Sequence, residues 1–136
     1  MIRLLALDMD GTCLNGRSRM TEETIRTIRK AADAGIIIVP TSGRPLTCLP
    51  YQMTQEKGLY RYTITSNGAQ VVDLEEKKTI FRMLMKRERV VQFLRECEEL
   101  NVVRMTHIQH RYVMEGPLME VAGRMVYGRD VDGIRR

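Results

Sequence analysis

The chain has 136 residues, of which 43% are hydrophobic and 29% are charged, and this balance excludes an intrinsically disordered protein. No apolar run approaches the roughly 20 residues that a membrane-spanning helix needs, so we expect no membrane partner. The net charge is +5, but the arginines are spread along the chain and aromatic residues make up only 5%, so we expect no nucleic-acid partner either.

The first residues, MIRLLALDMD, contain an acidic pair where a signal peptide would continue its apolar stretch. We therefore expect no secretion signal and a cytoplasmic location. The cysteines, Cys13, Cys48 and Cys97, are far apart and include no C-x-x-C pair, which argues against a disulfide framework or a zinc site.

The predicted elements begin with a strand–helix–strand unit. Residues 2–7 are almost continuously apolar, as in a strand that is covered on both faces of a parallel sheet. Thr21 is a good N-cap for a helix, and Gly35 suits the left-handed residue at its end. Residues 36–39 are β-branched and predict a second strand that ends at Pro40. Such crossovers are almost always right-handed.

The rest of the chain predicts further helices and strands. We predict a helix over 45–58 that Pro50 shortens or kinks, a strand over 62–65, and a hairpin of 70–73 with 79–83. From Lys86 to about Leu100 a helix is predicted, with charges on one face and apolar residues at helical spacing on the other, namely Val90, Phe93, Leu94, Cys97 and Leu100. Strands over 102–108 and 112–114 follow.

Two motifs carry the chemistry, D-x-D-G-T at 8–12 and T-S-G-R-P at 41–45. Each directly follows a predicted parallel strand, and ligands of open α/β sheets bind beyond the carboxyl ends of the strands. Neither motif is decisive alone, because an acidic loop is often only solvated, and Ser-Gly and Arg-Pro are ordinary turn residues. Together they indicate a fold that descends from phosphoryl-transfer enzymes.

The first motif places two carboxylates, Asp8 and Asp10, at a strand end where both can point the same way. Two like charges this close are unfavourable unless a cation or a shared proton separates them, and Mg²⁺, which prefers oxygen ligands, would serve. One carboxylate can then attack phosphorus covalently while the other handles the proton of the leaving group. Asp8 and Asp10 are therefore the candidate catalytic and metal-binding residues.

The second motif offers Ser42, Gly43 and Arg44 as candidate phosphate-binding residues. Ser42 has a hydroxyl, and Gly43 has an unobstructed backbone N–H near the start of a predicted helix, a favourable place for an anion. Arg44 either contacts phosphate or locks the loop.

Two further features are interpreted as structural. His107 and His110 are three apart on a predicted strand, which puts them on opposite faces, so we do not expect a metal pair. The Asn67-Gly68 pair is interpreted as a turn, although it follows a predicted strand at the same end of the sheet as the two motifs.

At these residues the sequence resembles the Cof-like hydrolases of the haloacid dehalogenase superfamily, and the resemblance extends over nearly the whole chain. LLALDMDGTCLN is similar to the first family motif, VPTSGRP to the second, and ITSNGAQV to the third-strand segment of Cof-like members. One departure is Cys13, where leucine is usual, and we expect it to have little effect.

The resemblance implies a fold, a cofactor and residue roles. The fold would be α/β, with the N-terminal portion of a Rossmann-like core and its parallel sheet over 1–84, and the start of an inserted α/β cap over 85–136. Asp8 would be the nucleophile that forms an aspartyl-phosphate, and Asp10 the general acid and then base. Ser42 would bind the phosphoryl group. Mg²⁺ would be held by the Asp8 carboxylate and the Asp10 backbone carbonyl.

Family members also supply a later lysine and an acidic G-D-x-x-N-D motif, and neither has a convincing counterpart here. Residues 128–132 are acidic, but their spacing differs. We therefore expect an N-terminal portion that ends inside the cap. The first strand is central in the family sheet, so without its later neighbours residues 4–7 would form an uncovered edge, and we predict weak stability or aggregation.

The leading hypothesis is a phosphatase for small phosphorylated metabolites, such as sugar phosphates, with low activity in this chain. The alternative is a truncated, non-catalytic remnant that binds phosphate compounds or a partner subunit. A phospho-acceptor domain like a response regulator is a third, and T-S-G-R-P and the cap-like segment count against it. The substrate and the oligomeric state are not readable from the sequence.

Overall fold

The chain divides into two compact units in a computed structural model that describes residues 2–50, 53, 58–100, 102–115 and 134–135. The first unit comprises Met1–Arg44 and Leu49–Arg82, and the second comprises Pro45–Cys48 and Met83–Arg136. The domain boundary expected between residues 84 and 85 stays a prediction. Pro45, the last residue of the second motif, belongs to the second unit together with the three residues after it.

The first unit is built on a five-stranded sheet with the order β1-β2-β3-β4-β5. Its strands are β1 Leu4–Asp8, β2 Ile37–Thr41, β3 Tyr62–Thr65, β4 Gln70–Asp73 and β5 Lys78–Arg82. The first three are parallel, and β4 and β5 continue the sheet as the antiparallel hairpin that the sequence predicted. This sheet with its crossover helix confirms the α/β class and the Rossmann-like core.

The crossover from β1 to β2 contains helix α1, Glu22–Asp33. Its N-cap is Thr21, whose hydroxyl accepts a hydrogen bond from the Thr24 amide at 3.2 Å. Gly35 follows the helix at φ = 83°, a left-handed conformation that is least costly for glycine. The cap and the glycine agree with the prediction, and they return the chain to the sheet so that β2 runs beside β1.

Strand β2 continues through Pro40 to Thr41, further than predicted. Proline has no N–H and is usually excluded from the interior of a sheet. The N–H of Ser42, two residues on, donates to the Ile64 carbonyl of β3, so the missing N–H of Pro40 also faces β3. In the described part, the β2–β3 ladder is limited to Thr41 with Ile64, and the Pro40 carbonyl accepts instead from the Thr63 hydroxyl at 3.1 Å.

The second unit contains helix α2, Arg87–Glu96, and strands β6 Arg104–Ile108, β7 Arg111–Glu115 and β8 Ile134–Arg135. Strands β6 and β7 form an antiparallel hairpin, and β8 pairs parallel to β7. Helix α2 is shorter than the predicted helix, because the chain passes into a 3-10 turn at Glu98–Leu100. Phe93 and Leu100 are 57% and 64% exposed, so the predicted apolar face is only partly covered.

The helix predicted over 45–58 is described only at 45–50, 53 and 58, and the whole of 116–133 lies outside the described residues. Its described part contains a 3-10 turn at Leu46–Cys48. None of the helices in the described ranges has the length and apolar character needed to cross a membrane.

Strand β1 lies at an edge of the sheet, since among the described strands it pairs with β2 alone. Leu4 and Leu5 are 54% and 37% exposed, whereas their apolar pattern is typical of a strand covered on both faces. The uncovered edge expected from the sequence is therefore confirmed for the described residues. Such an edge is a template for pairing with another chain.

We expect the wild-type chain to associate as its concentration rises, and Leu4→Lys to reduce this association, because a charged side chain disfavours edge pairing. Phe93→Lys is a matched control, since Phe93 is 57% exposed against 54% for Leu4 but lies on a helix. Sedimentation velocity over a range of concentrations measures the effect. Equal effects of both variants, or a monomeric wild-type chain with a cooperative thermal melt, would contradict this account.

The turn after β3 packs against the second motif. Its residues, Ser66–Gly68, all have left-handed φ angles, between 53° and 89°. The Ser66 amide donates to the Arg44 carbonyl at 3.0 Å, and the Asn67 amide donates to the Ser42 carbonyl at 3.3 Å. A Cβ on Gly43 would lie 2.7 Å from Asn67 Oδ1, so only glycine fits there without displacing the Asn67 side chain.

Gly43→Ala is expected to lower the free energy of unfolding by no more than about 1 kcal/mol, because the methyl group must displace the Asn67 side chain, which is exposed and can move. In an Asn67→Gly background the same change should cost less, since the overlapping atom is gone and glycine suits the φ of 54°. Urea unfolding measures the cost of Gly43→Ala with Asn67 present and with Asn67→Gly, in each case in the Leu4→Lys background. Equal losses with and without the Asn67 side chain would show that this contact is not the cause.

Candidate active site

Both motifs lie at the carboxyl ends of neighbouring parallel strands. Asp8 is the last residue of β1 and pairs in register with Thr41, the last residue of β2. Ser42 follows directly, so the two segments leave the sheet side by side. The structure thus brings D-x-D-G-T and T-S-G-R-P together, at the place where α/β sheets bind their ligands.

A tight loop after β1 presents the two carboxylates. Three consecutive backbone amides donate to the Met9 carbonyl, those of Thr12, Cys13 and Leu14 at 3.4, 3.1 and 2.9 Å. The Met9 side chain is 1% exposed and anchors the loop, and Gly11 reverses the chain at φ = 76°. Asp8 and Asp10, on either side of the buried methionine, are both exposed.

The carboxylate of Asp10 is neutralised by Arg44. Arg44 Nε donates to Asp10 Oδ2 at 2.9 Å, and Nη2 donates to Oδ1 at 2.6 Å, which makes a two-pronged ion pair. The Arg44 side chain is 3% exposed, and that of Asp10 is 51% exposed. A guanidinium buried this deeply requires partners that accept its hydrogen bonds, because a buried charge left without them is costly.

Ser42 is buried beside this ion pair, at 3% exposure. Its hydroxyl donates to Asp10 Oδ2 over 3.4 Å and accepts a hydrogen bond from the Arg44 amide at 3.1 Å. A separation of 3.4 Å is long for a hydroxyl donor, for which about 2.7–2.8 Å is usual. The Ser42 proton can therefore turn to a phosphoryl oxygen while losing only a weak bond.

Asp8 differs from Asp10 in its charge environment. Its Oδ2 accepts a hydrogen bond from the Thr12 hydroxyl at 3.2 Å, and within the described residues it forms no ion pair. The sequence predicts that a cation or a shared proton separates the two carboxylates. Arg44 is such a cation for Asp10, whereas no protein cation pairs with Asp8 in the described part of the chain.

The Asp8 side of the loop has the oxygen atoms that a hard divalent cation needs. The described residues contain no group of three or more His, Cys, Asp or Glu side chains that could hold a metal, so a closed cage is not formed by them. Mg²⁺ is usually bound by one or two carboxylates, with waters and substrate phosphate as the other ligands. The Asp8 carboxylate with the nearby Asp10 backbone carbonyl fits that pattern.

Cys13, at the position where leucine was expected, has a thiol of low reactivity. Burial raises its pKa, and the negative charge of Asp8 raises it further. The thiol therefore stays protonated near neutral pH and acts as a small apolar side chain.

The two histidines are not brought together on one strand. His107 lies in β6, where its ring makes an edge-to-face contact with Tyr112 at a centroid distance of 4.6 Å, and burial lowers its pKa. His110 lies in the turn between β6 and β7, at φ = 67°. The prediction that both lie on a strand is therefore wrong.

Ser18 is a site residue that sequence reasoning missed. Arg44 Nη2 donates to its hydroxyl at 3.3 Å across 26 positions of sequence. Ser18 has a left-handed φ of 55° in a turn that Asn15 closes, since the Asn15 side-chain oxygen accepts from the amides of Arg17 and Arg19 at 2.9 and 3.2 Å. The Asn15-Gly16 pair is a sequence pattern typical of a turn. No sequence pattern indicates the contact between Ser18 and Arg44.

Known proteins resemble this chain in sequence. A family model described as haloacid dehalogenase-like hydrolase matches residues 5–127. The 5-amino-6-(5-phospho-D-ribitylamino)uracil phosphatase of Bacillus subtilis is 38% identical over 73 residues, which make up 53% of this chain and 28% of that relative. The chain thus spans less than a third of that relative's length.

Solved structures share the fold. A sugar phosphatase of HAD subclass IIB has a TM-score of 0.79 at 24% identity, over 92% of this chain and 48% of its own. A haloacid dehalogenase-like hydrolase from Bacteroides thetaiotaomicron has a TM-score of 0.74 at 24% identity, over 100% of this chain and 52% of its own. At this identity the likeness shows the fold alone, and the chain spans about half of each structure. Because the family model covers most of the sequence, from within β1 onward, the chain belongs to the haloacid dehalogenase-like hydrolase family.

Proposed function

We propose that the chain carries the nucleophile end of a Mg²⁺-dependent phosphatase, which hydrolyses phosphoric monoesters of small metabolites through an aspartyl-phosphate at Asp8. The observation that supports this most is the unequal environment of the two carboxylates. Asp10 is held by the buried Arg44, whereas Asp8 is exposed and accepts only a hydroxyl among the described residues. A nucleophile needs an available lone pair, and a proton-transfer group needs a fixed position.

The proposed roles follow from these contacts. An Asp8 oxygen attacks phosphorus and forms a P–O bond while the bond from phosphorus to the leaving oxygen breaks. Asp10 gives a proton to that leaving oxygen. It then takes a proton from the water that attacks phosphorus, and the bond between phosphorus and Asp8 breaks. Ser42 and the Gly43 amide donate to the phosphoryl oxygens.

Mg²⁺ would be held by the Asp8 carboxylate and the Asp10 backbone carbonyl. When bound, it supplies positive charge that offsets the repulsion between Asp8 and the phosphoryl oxygens. The protein's own part is to hold Asp8 at the end of a paired strand and to keep the loop closed on the Met9 carbonyl.

The names of the relatives support a small phosphorylated substrate. The Bacillus subtilis relative is a phosphatase of a phosphorylated ribitylamino-uracil, and the structural neighbour with a TM-score of 0.79 is a sugar phosphatase. We therefore propose sugar phosphates or similar metabolites as the substrate class, with no nucleic-acid or membrane partner, and a cytoplasmic location.

The open edge of β1 favours a second hypothesis. In it the chain is non-catalytic, binds phosphate compounds at the same mouth, and pairs through the edge with a partner subunit. Saturable binding of inorganic phosphate without hydrolysis of any ester would support this hypothesis over the phosphatase.

Asp8→Asn is expected to lower the Mg²⁺-dependent hydrolysis of p-nitrophenyl phosphate by on the order of 10⁴-fold or more, because the amide is not a nucleophile. Chelation with EDTA should abolish the wild-type rate, and added Mg²⁺ should restore it. The release of p-nitrophenolate, measured by absorbance, gives the rate.

Asp33→Asn is the matched control, because Asp33 is an exposed aspartate at the end of α1, away from both motifs. It should keep the wild-type rate. Retained hydrolysis by Asp8→Asn would remove Asp8 as the nucleophile, and a rate that EDTA does not change would remove Mg²⁺ from the proposal.

A further inference from the structure

The side chain of Arg44 has a position that the two motifs alone do not explain. Its guanidinium is 3% exposed, yet it lies in a segment that leaves the sheet at the mouth of the site. Its Nε and Nη2 atoms both face the Asp10 carboxylate, at 2.9 and 2.6 Å. The guanidinium is therefore directed at a neighbouring carboxylate by two parallel bonds, a geometry that fixes orientation as well as charge.

Arg44 is itself held from two other segments and from within its own motif. Its Nη2 donates to Ser18 Oγ at 3.3 Å, its amide donates to Ser42 Oγ at 3.1 Å, and its carbonyl accepts from the Ser66 amide at 3.0 Å. Ser18 belongs to the turn that Asn15 closes. A side chain fixed this way transmits its position to its partner, because the guanidinium has little freedom to follow a moving carboxylate.

Both oxygens of Asp10 accept from Arg44, Oδ2 from Nε and Oδ1 from Nη2. Oδ2 also accepts the long bond from Ser42 Oγ, which is given up when the Ser42 proton turns to a phosphoryl oxygen. Each oxygen then keeps a lone pair that can carry a proton while both hydrogen bonds from Arg44 stay in place.

We propose that Arg44 is a positioning residue that fixes the Asp10 carboxylate and is not a ligand of the phosphoryl group. This inference rests on the proposed function. As the bond between phosphorus and the leaving oxygen breaks, the proton on Asp10 passes to that oxygen. A proton returns to Asp10 from the water that attacks the acyl phosphate, and the bond between phosphorus and Asp8 breaks. Arg44 exchanges no proton in either step.

The first test uses the leaving group. Arg44→Lys keeps the charge but cannot form two parallel bonds, so it should lower kcat/KM for an alkyl phosphate by about 10²-fold or more, the usual contribution of general acid catalysis. It should lower kcat/KM for p-nitrophenyl phosphate by less than about 5-fold, because kcat/KM reports the step in which the ester bond breaks, and nitrophenolate leaves without a proton. Asp10→Asn should show the same contrast, and Arg44→Lys should add little to it in the double variant.

Inhibition by inorganic phosphate separates the two roles of Arg44. If Arg44 only positions Asp10, the inhibition constant of phosphate should change by less than about 3-fold in Arg44→Lys. If Arg44 binds the phosphoryl group, Arg44→Lys should lower the rate on both esters equally and weaken inhibition by phosphate about 10-fold or more. The second result would overturn the inference. It would leave Asp8 as the nucleophile.

A measurement without turnover separates this inference from the proposed function. The three-bond coupling between the Asp10 carboxyl carbon, Cγ, and the Asp10 amide nitrogen, measured by NMR, reports the Asp10 χ1 angle. We expect one rotamer in the wild-type chain and in Asp33→Asn, and an averaged coupling in Arg44→Lys and Arg44→Met. An unchanged coupling in both Arg44 variants would overturn the inference. A wild-type chain that binds phosphate with an ordered Asp10 but hydrolyses no ester would count against the proposed function alone.

Discussion

The ion pair between Arg44 and Asp10 is the interaction on which the account of this site depends. It joins two motifs that are 34 positions apart in sequence, and it neutralises one of two neighbouring carboxylates. Because the arginine is buried, the pair is shielded from water on one side, and its geometry is restrained by Ser18 and Ser42. The other carboxylate, on Asp8, is left with a single hydroxyl partner among the described residues. Two aspartates that look equivalent in sequence thus have different partners in the fold.

The sheet places this pair through its strand register. A parallel ladder of five residue pairs fixes Asp8 opposite Thr41. The loops that follow β1 and β2 therefore begin side by side at the same edge of the sheet. The turn at Ser66–Gly68 supports the second loop through two backbone bonds and the Asn67 side chain. The strand that carries Asp8 is also the open edge of the sheet among the described strands, with exposed leucines. Site and exposed edge therefore share one strand, and anything that disturbs the pairing of β1 disturbs Asp8.

Much of this could be predicted from local sequence. Thr21 as N-cap, Gly35 as the left-handed residue, and β3 with its following hairpin all appear as expected, because their causes lie within a few residues. The closeness of the two motifs could be predicted because each follows a parallel strand, and the carboxyl ends of parallel strands lie at the same edge of a sheet. Phe93 shows the limit, since helical spacing places it on an apolar face but cannot say what covers that face.

The partner of Arg44 was beyond sequence reasoning for a similar reason. Phosphate and a carboxylate are equally good partners for a guanidinium, and the choice depends on where Asp10 and Ser18 lie in space. Pro40 within β2 is another case, because the N–H that proline lacks faces β3, where the described ladder is short. Both features depend on contacts between segments that no local pattern encodes.

We propose that the carboxylate without a protein cation in the described residues, on Asp8, is the one that receives the phosphoryl group. Incubating the chain with a phosphate ester and Mg²⁺, quenching in acid, and locating the added phosphate by peptide mass spectrometry distinguishes Asp8 from every other residue. We expect a hydroxylamine-labile phosphate on Asp8. Phosphate on Asp10 or on another residue, or turnover with no phosphate on the chain, would show that Asp8 is not the acceptor.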